Sequence, residues 1–111
     1  MNVEELIEKI NHFRDERDWR QYHQPKDLAI SVCLEASELL ENFQWLSDEE
    51  AIEKNKENIR QELADVLIYS LMLASDLNLD VHEIIDSKMK LNAIKYPVDK
   101  SKGSRDKYTE L

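Results

Sequence analysis

Apolar residues recur at helical spacing along most of this chain, and no segment reads as a strand. Leu6, Ile7, Ile10 and Phe13 form one 3–4 spaced stripe, which predicts a first helix from about Val3 to Arg17. The segment Asp18-Trp-Arg-Gln-Tyr-His-Gln24 is aromatic-rich and connects to the next helix. Pro25 suits the first turn of that helix, with Gln24 near its cap, and the pattern carries it to about Phe43. Ser47-Asp-Glu-Glu50 has the form of a capping box and opens a third helix that ends near Leu77. A break or bend is expected between Asn55 and Asn58, where the pattern is wholly polar. Asp80-Val-His-Glu83 repeats the capping-box form and starts a fourth helix. Pro97 stops it near Lys95 or Tyr96, because proline disfavours helix in the residue before it. The residues after Pro97 are polar, contain the only glycine, Gly103, and are expected to form a mobile tail. The expected fold is therefore an all-α, four-helix bundle over residues 1–97, followed by a basic, flexible tail at 98–111.

Two acidic pairs break into the apolar pattern. Glu35 and Glu38 lie inside the run Leu28 to Leu40, and Glu62 and Asp65 open the otherwise greasy run Glu62 to Ala74. Residues three apart share a helix face, so each pair projects two carboxylates from one side. Taking an unpaired carboxylate out of water costs on the order of several kcal/mol, so four together call for a compensating cation. Carboxylate oxygens are the preferred ligands of hard divalent metals, and Mg²⁺ held between two helices is the expectation. The same spacing at Glu5/Glu8 and Glu50/Glu53 reads as a solvated face. Helical offsets extend the first acidic face to Asn42 and Trp45 and the second to Tyr69, which adds groups able to stack on or hydrogen-bond a ring. Magnesium keeps several waters and completes its shell with substrate phosphates, so hydrolysis of a phosphoanhydride is the natural reaction class. No acidic residue is followed three positions later by His, which removes a ferritin-like di-iron centre, and His12, His23 and His82 are badly placed for a zinc hydrolase. One glycine in 111 residues leaves no phosphate-cradling loop.

Composition narrows the partners. A net charge of −9 argues against binding nucleic acid or an anionic membrane. The charge is uneven: residues 88–107 hold seven basic side chains against two acidic, while the rest of the chain is strongly acidic. A lone Cys33 permits no disulfide and fits a reducing cytoplasm. The amino-terminal residues carry no secretion signal, and no apolar run approaches the ~20 residues needed to span a bilayer. The apolar fraction of 41% is modest for an isolated bundle and hints at oligomerisation.

These residues resemble a known family, the MazG-like all-α nucleoside triphosphate pyrophosphohydrolases, whose hallmark is E-x-x-E followed some distance on by E-x-x-D. Here that is Glu35-Ala-Ser-Glu38 and Glu62-Leu-Ala-Asp65. The likeness is closer still to its dCTP pyrophosphatase branch. Glu16-Arg-Asp-Trp19, Tyr22-His-Gln-Pro25, Glu38 to Trp45, Glu62 to Tyr69, Ser87 to Asn92 and Lys95-Tyr-Pro97 follow in order, covering about Val3 to Pro97. The resemblance implies Mg²⁺ on Glu35, Glu38, Glu62 and Asp65, and attack by water that releases a monophosphate and pyrophosphate. Glu38 would be the acid that also orients the water. The resemblance places Trp19, Arg20, Gln21, Tyr22, His23, Trp45 and Tyr69 around base and sugar, with Asn92 near the nucleotide. Charge and spacing add Lys88 and Lys95 as phosphate contacts, and suggest that Lys100, Lys102, Arg105 and Lys107 fold over a bound triphosphate. One departure is Ile10, which stands where the family pattern has a histidine. The resemblance also implies a homodimer or homotetramer that completes the bundle.

Overall fold

A computed structural model describes all residues, Met1 to Leu111, and every regular element is helical. The elements are α1 (Val3–Glu16), a 3₁₀ turn (Arg20–Tyr22), α2 (Pro25–Glu41), α3 (Asp48–Lys54), α4 (Lys56–Asp76), α5 (Val81–Lys95), α6 (Val98–Ser101) and a last 3₁₀ turn (Tyr108–Glu110). The chain forms two compact units, Met1–Asn78 and Leu79–Leu111.

Local chemistry explains most of the boundaries. Asn2 caps α1 through its side chain, Ser47 accepts from Glu50 N at the start of α3, and Asp80 accepts from Glu83 N at the start of α5. Pro25 occupies the first turn of α2. The expected third helix is two helices, because Asn55 leaves helical geometry (φ −113°, ψ 19°) in the polar stretch singled out above. Its side chain explains why the break is tolerated: Asn55 Nδ2 donates to the Asn42 carbonyl at 2.8 Å, and Asn58 Nδ2 donates to Asn42 Oδ1 at 2.7 Å. Asn42, buried at the end of α2, thus ties that end to the α3–α4 junction rather than extending an acidic face. No helix is long and apolar enough to cross a membrane.

In the first unit, α2 packs chiefly on α4, and α1 and α3 also pack on α4. The buried apolar core is small: Leu28, Ala51, Met72 and Ala74. The inward face of α1 differs from the expected stripe. Val3, Ile7, Ile10, Asn11 and Arg14 turn inward, while Leu6 and Phe13 are exposed. Arg14 takes an inward position because Asp76 of α4 meets its guanidinium there.

In the second unit the expected mobile tail carries structure of its own. Pro97 precedes α6 in extended geometry, Gly103 turns the chain at φ 80°, and the following segment returns to the end of α5. There the Tyr108 ring meets Tyr96 edge-on at 6.1 Å and lies under the Lys95 ammonium at 4.9 Å. Tyr108, eleven residues beyond Pro97, is the ring that brings this otherwise polar segment against α5.

Leu28 is the largest apolar side chain with essentially no exposed surface. Truncating it, Leu28→Ala, is expected to cost about 2–5 kcal/mol in urea unfolding followed by circular dichroism, against a much smaller loss for an exposed alanine substitution such as Lys26→Ala.

Candidate active site

The acids meet between α2 and α4. Glu35 from α2 and Glu62 and Asp65 from α4 each bring a carboxylate oxygen to within 4.8 Å of the other two. All three are half-buried. The three-residue step on α4 sets Glu62 and Asp65 side by side, and the packing of α2 on α4 brings Glu35 across to them. Glu38, one turn further along α2, is exposed and lies outside this trio, yet its charge acts on both Glu35 and Glu62.

The orientation inverts what the apolar pattern suggests. Leu34 and Leu40 beside the first pair, and Leu63 and Leu67 beside the second, point to solvent, while the acids turn toward the facing helix.

Electrostatics show that the trio lacks a counter-charge. Glu35 Oε2 and Glu62 Oε2 are buried without a hydrogen-bond partner. Desolvation pushes the Glu35 carboxyl up to about 7, and the neighbouring carboxyls of Glu38, Glu62 and Asp65 add to the rise. For Glu62, the hydrogen bond with Glu35 pulls downward, but desolvation and the charges of Glu38 and Asp65 outweigh it and the net direction is up. Tyr69, two turns beyond Glu62, feels the same field: burial first, then the charges of Glu35, Asp65 and Glu38, raise its phenol. No Lys or Arg is paired with these acids. Oxygen-only donors, clustered, desolvated and unsatisfied, fit a hard divalent cation.

The aromatic segment forms a second cluster at the far end of α4. Asp18 turns the chain in left-handed geometry (φ 58°), and Gln21 Nε2 donates to the Asp18 carbonyl at 2.9 Å. Trp19 sits edge-on to Phe13 at 5.8 Å and to His23 at 6.5 Å, and Tyr22 is largely exposed. Arg20 is committed to Asp15 and Asp76, which leaves it poorly disposed toward a phosphate. Along α4, Asp76 lies eleven residues past Asp65, roughly 16 Å at the helical rise.

Trp45 departs from the expected position. Helix α2 ends at Glu41, so the helical offset that aligned Trp45 with Glu35 and Glu38 does not apply. Trp45 instead stands in left-handed geometry (φ 65°) and is 98% exposed. Lys88, Asn92 and Lys95 lie on α5 in the second unit, with Lys95 turned onto Tyr108. The sequence pattern did not single out the polar set formed by buried Arg14 with half-buried Asn11, Ser75 and Asp76. Its signal was available, since Arg14 continues the Ile7 and Ile10 spacing onto the inward face.

Fold and site together define a helical protein with a carboxylate cluster suited to a divalent metal, built from acidic motifs on two packed helices. The MazG-like family profile matches residues 30–111, and the chain belongs to that family. It is similar to dCTP pyrophosphatase 1 of Mus musculus, 43% identical over 98% of this chain and 67% of the mouse protein. The Homo sapiens protein of the same name is 39% identical over the same shares, 98% and 67%. Among solved structures, a pyrophosphatase from Archaeoglobus fulgidus matches with a TM-score of 0.80 and 44% identity, covering 85% of this chain and 91% of that one.

The pH dependence follows from Glu35. Its carboxyl binds a proton more tightly in the fold than in the unfolded chain, so without metal its contribution to stability is greatest below about 4.5 and declines until pH passes about 7. A divalent cation takes the place of that proton. The melting temperature in EDTA should therefore fall from pH 5 toward pH 8 more than it does in excess Mg²⁺, and Glu35→Gln should flatten the EDTA profile.

Proposed function

We propose that this protein hydrolyses nucleoside triphosphates, with dCTP-like deoxynucleotides foremost, to the monophosphate and pyrophosphate in a Mg²⁺-dependent reaction. The observation that carries this reading is the trio Glu35, Glu62 and Asp65, with two buried carboxylate oxygens that have no partner in the protein. The names of the relatives support the substrate class: the mouse and human proteins are dCTP pyrophosphatases, and the archaeal structure is that of a pyrophosphatase.

Glu35, Glu62 and Asp65 would hold the metal. Bound there, Mg²⁺ supplies charge neutralisation for the phosphates and a lowered pKa for a nearby water. Glu38, exposed at the edge of the trio, is suited to orient the attacking water and take its proton. Tyr69 is suited to a hydrogen bond from its phenol to the sugar or a phosphate, since its raised pKa keeps the proton in place. Trp19, Tyr22 and His23 present ring faces and edges for the base. On α5, Lys88, Asn92 and Lys95 are proposed to contact nucleotide, and residues 98–111 form a basic segment after the pyrophosphohydrolase domain at 1–97. Removing unwanted triphosphates from the cytoplasmic nucleotide pool is the role that fits this chemistry.

We also assign the protein to a homodimer or homotetramer. Ile30 and Leu34 on α2 and Leu63 and Leu67 on α4 are exposed beside the acid cluster, and the buried core is too small to account for the apolar residues present. A second copy covering these leucines would further desolvate the site. Light scattering on the purified protein should give a mass at least twice 13.2 kDa, and Leu34→Lys with Leu67→Lys should reduce it toward that of the monomer.

Activity is tested with each ribo- and deoxynucleoside triphosphate plus Mg²⁺, products being separated by anion exchange. Monophosphate and pyrophosphate are expected, with kcat falling about 100-fold or more in Glu38→Gln. Diphosphate and orthophosphate would retain the metal site and overturn the reaction. No turnover on any nucleotide would leave a helical scaffold stabilised by metal.

A further inference from the structure

Arg14 is the one charged side chain of the protein with no exposed surface, and each of its N–H groups is aimed at a partner. Nε and Nη2 donate to Asn11 Oδ1 at 3.0 and 2.7 Å. Nη1 and Nη2 grip Asp76 in a two-pronged fork, at 3.0 Å to Oδ2 and 2.5 Å to Oδ1. The remaining Nη1 proton points at His23 Nδ1, 3.4 Å away. Asn11 is itself fixed by donation to Ser75 Oγ at 3.0 Å, and the Arg14 carbonyl accepts from Trp19 N at 2.9 Å. Arg14 therefore ties the end of α1 to the end of α4 and to His23 through its guanidinium, and to Trp19, at the other end of the aromatic turn, through its backbone carbonyl.

This arrangement decides the chemistry of His23. A guanidinium has donors only and does not lose its charge, so the ring nitrogen facing it accepts, and the imidazole proton sits on Nε2. The two ring nitrogens point apart, so Nε2–H is directed away from Arg14. The groups that face the ring are Arg14, Asp76, Arg20 and Trp19. Burial and then Arg14 hold the imidazole below its ordinary pKa; Arg20 adds to this, and the pull of Asp76 opposes it.

We propose that Arg14, anchored by Asp76, is a positioning residue that fixes His23 as the neutral Nε2–H tautomer and seats the Trp19–His23 turn, so that His23 presents one hydrogen-bond donor to an acceptor edge of the nucleobase. It rests on the reading that this turn receives the base. Arg14 touches neither the phosphates nor the metal ligands, so its influence falls on binding rather than on the chemical step. A pyrimidine keto oxygen or an unprotonated ring nitrogen, as cytosine offers on one edge, is the kind of acceptor the donor selects.

The test pairs nitrogen NMR of the histidines with steady-state kinetics on dCTP, using full-length wild type, Arg14→Met and Arg14→Lys. His23→Gln assigns the His23 signals among the three histidines. In wild type, His23 Nδ1 should resonate as the unprotonated nitrogen and Nε2 as the protonated one, without substrate, from pH 6 to 8. In Arg14→Met, where Arg20 still faces Asp76, the Nδ1–H tautomer should appear and the His23 titration should move up. KM should then rise roughly tenfold, the effect of one lost hydrogen bond to a polar group, with kcat within about twofold. Arg14→Lys should restore part of both. A wild-type His23 carrying its proton on Nδ1 would overturn the proposal even if Arg14→Met failed to fold. So would a folded Arg14→Met with wild-type KM. A wild type that turns over no nucleotide would instead overturn the functional reading, together with the KM claim that rests on it.

Discussion

Like charge held in a half-buried place is the constraint from which the rest of this structure follows. Glu35, Glu62 and Asp65 cannot all ionise between α2 and α4 unless something positive joins them, and the protein supplies no lysine or arginine to do so. The unpartnered oxygens of Glu35 and Glu62 are the direct expression of that deficit. A cluster of this kind opposes folding by itself. Either a proton on Glu35 or an external cation relieves it. The main packing of the first unit, α2 on α4, is thus also the frame of its candidate active site.

A second charge problem has the opposite solution. Arg14 is fully buried, yet Asp76, Asn11 and His23 answer every donor it has. The two ends of α4 are therefore used differently. In its first half, carboxylate oxygens are left without partners. At its end, a satisfied ion pair makes a rigid seat for the aromatic turn.

Much of this was legible in the sequence, for identifiable reasons. Ser47 and Asp80 mark helix starts because their side chains satisfy first-turn N–H groups, an effect confined to three or four residues. Glu35, Glu62 and Asp65 stood out because carboxylates inside apolar runs carry a large desolvation cost wherever the helices go. What the sequence could not settle depends on partners distant along the chain. The inward turn of Arg14 requires Asp76, 62 residues away. The ordering of the tail requires Tyr108 to return to Tyr96. Trp45 was misplaced because helical offsets were carried past the end of α2 into a left-handed residue. The outward turn of the leucines beside the acids was not legible either, because an apolar run does not say whether the same chain covers it.

The central claim is that the carboxylate trio is a divalent metal site. Electron paramagnetic resonance of Mn²⁺, a spectroscopic substitute with the same preference for carboxylate oxygen, measures occupancy without requiring turnover. The account predicts saturable binding to the wild type, displaced by Mg²⁺, and its loss in Glu62→Gln with the helical fold intact. Equal Mn²⁺ binding by wild type and Glu62→Gln would contradict it.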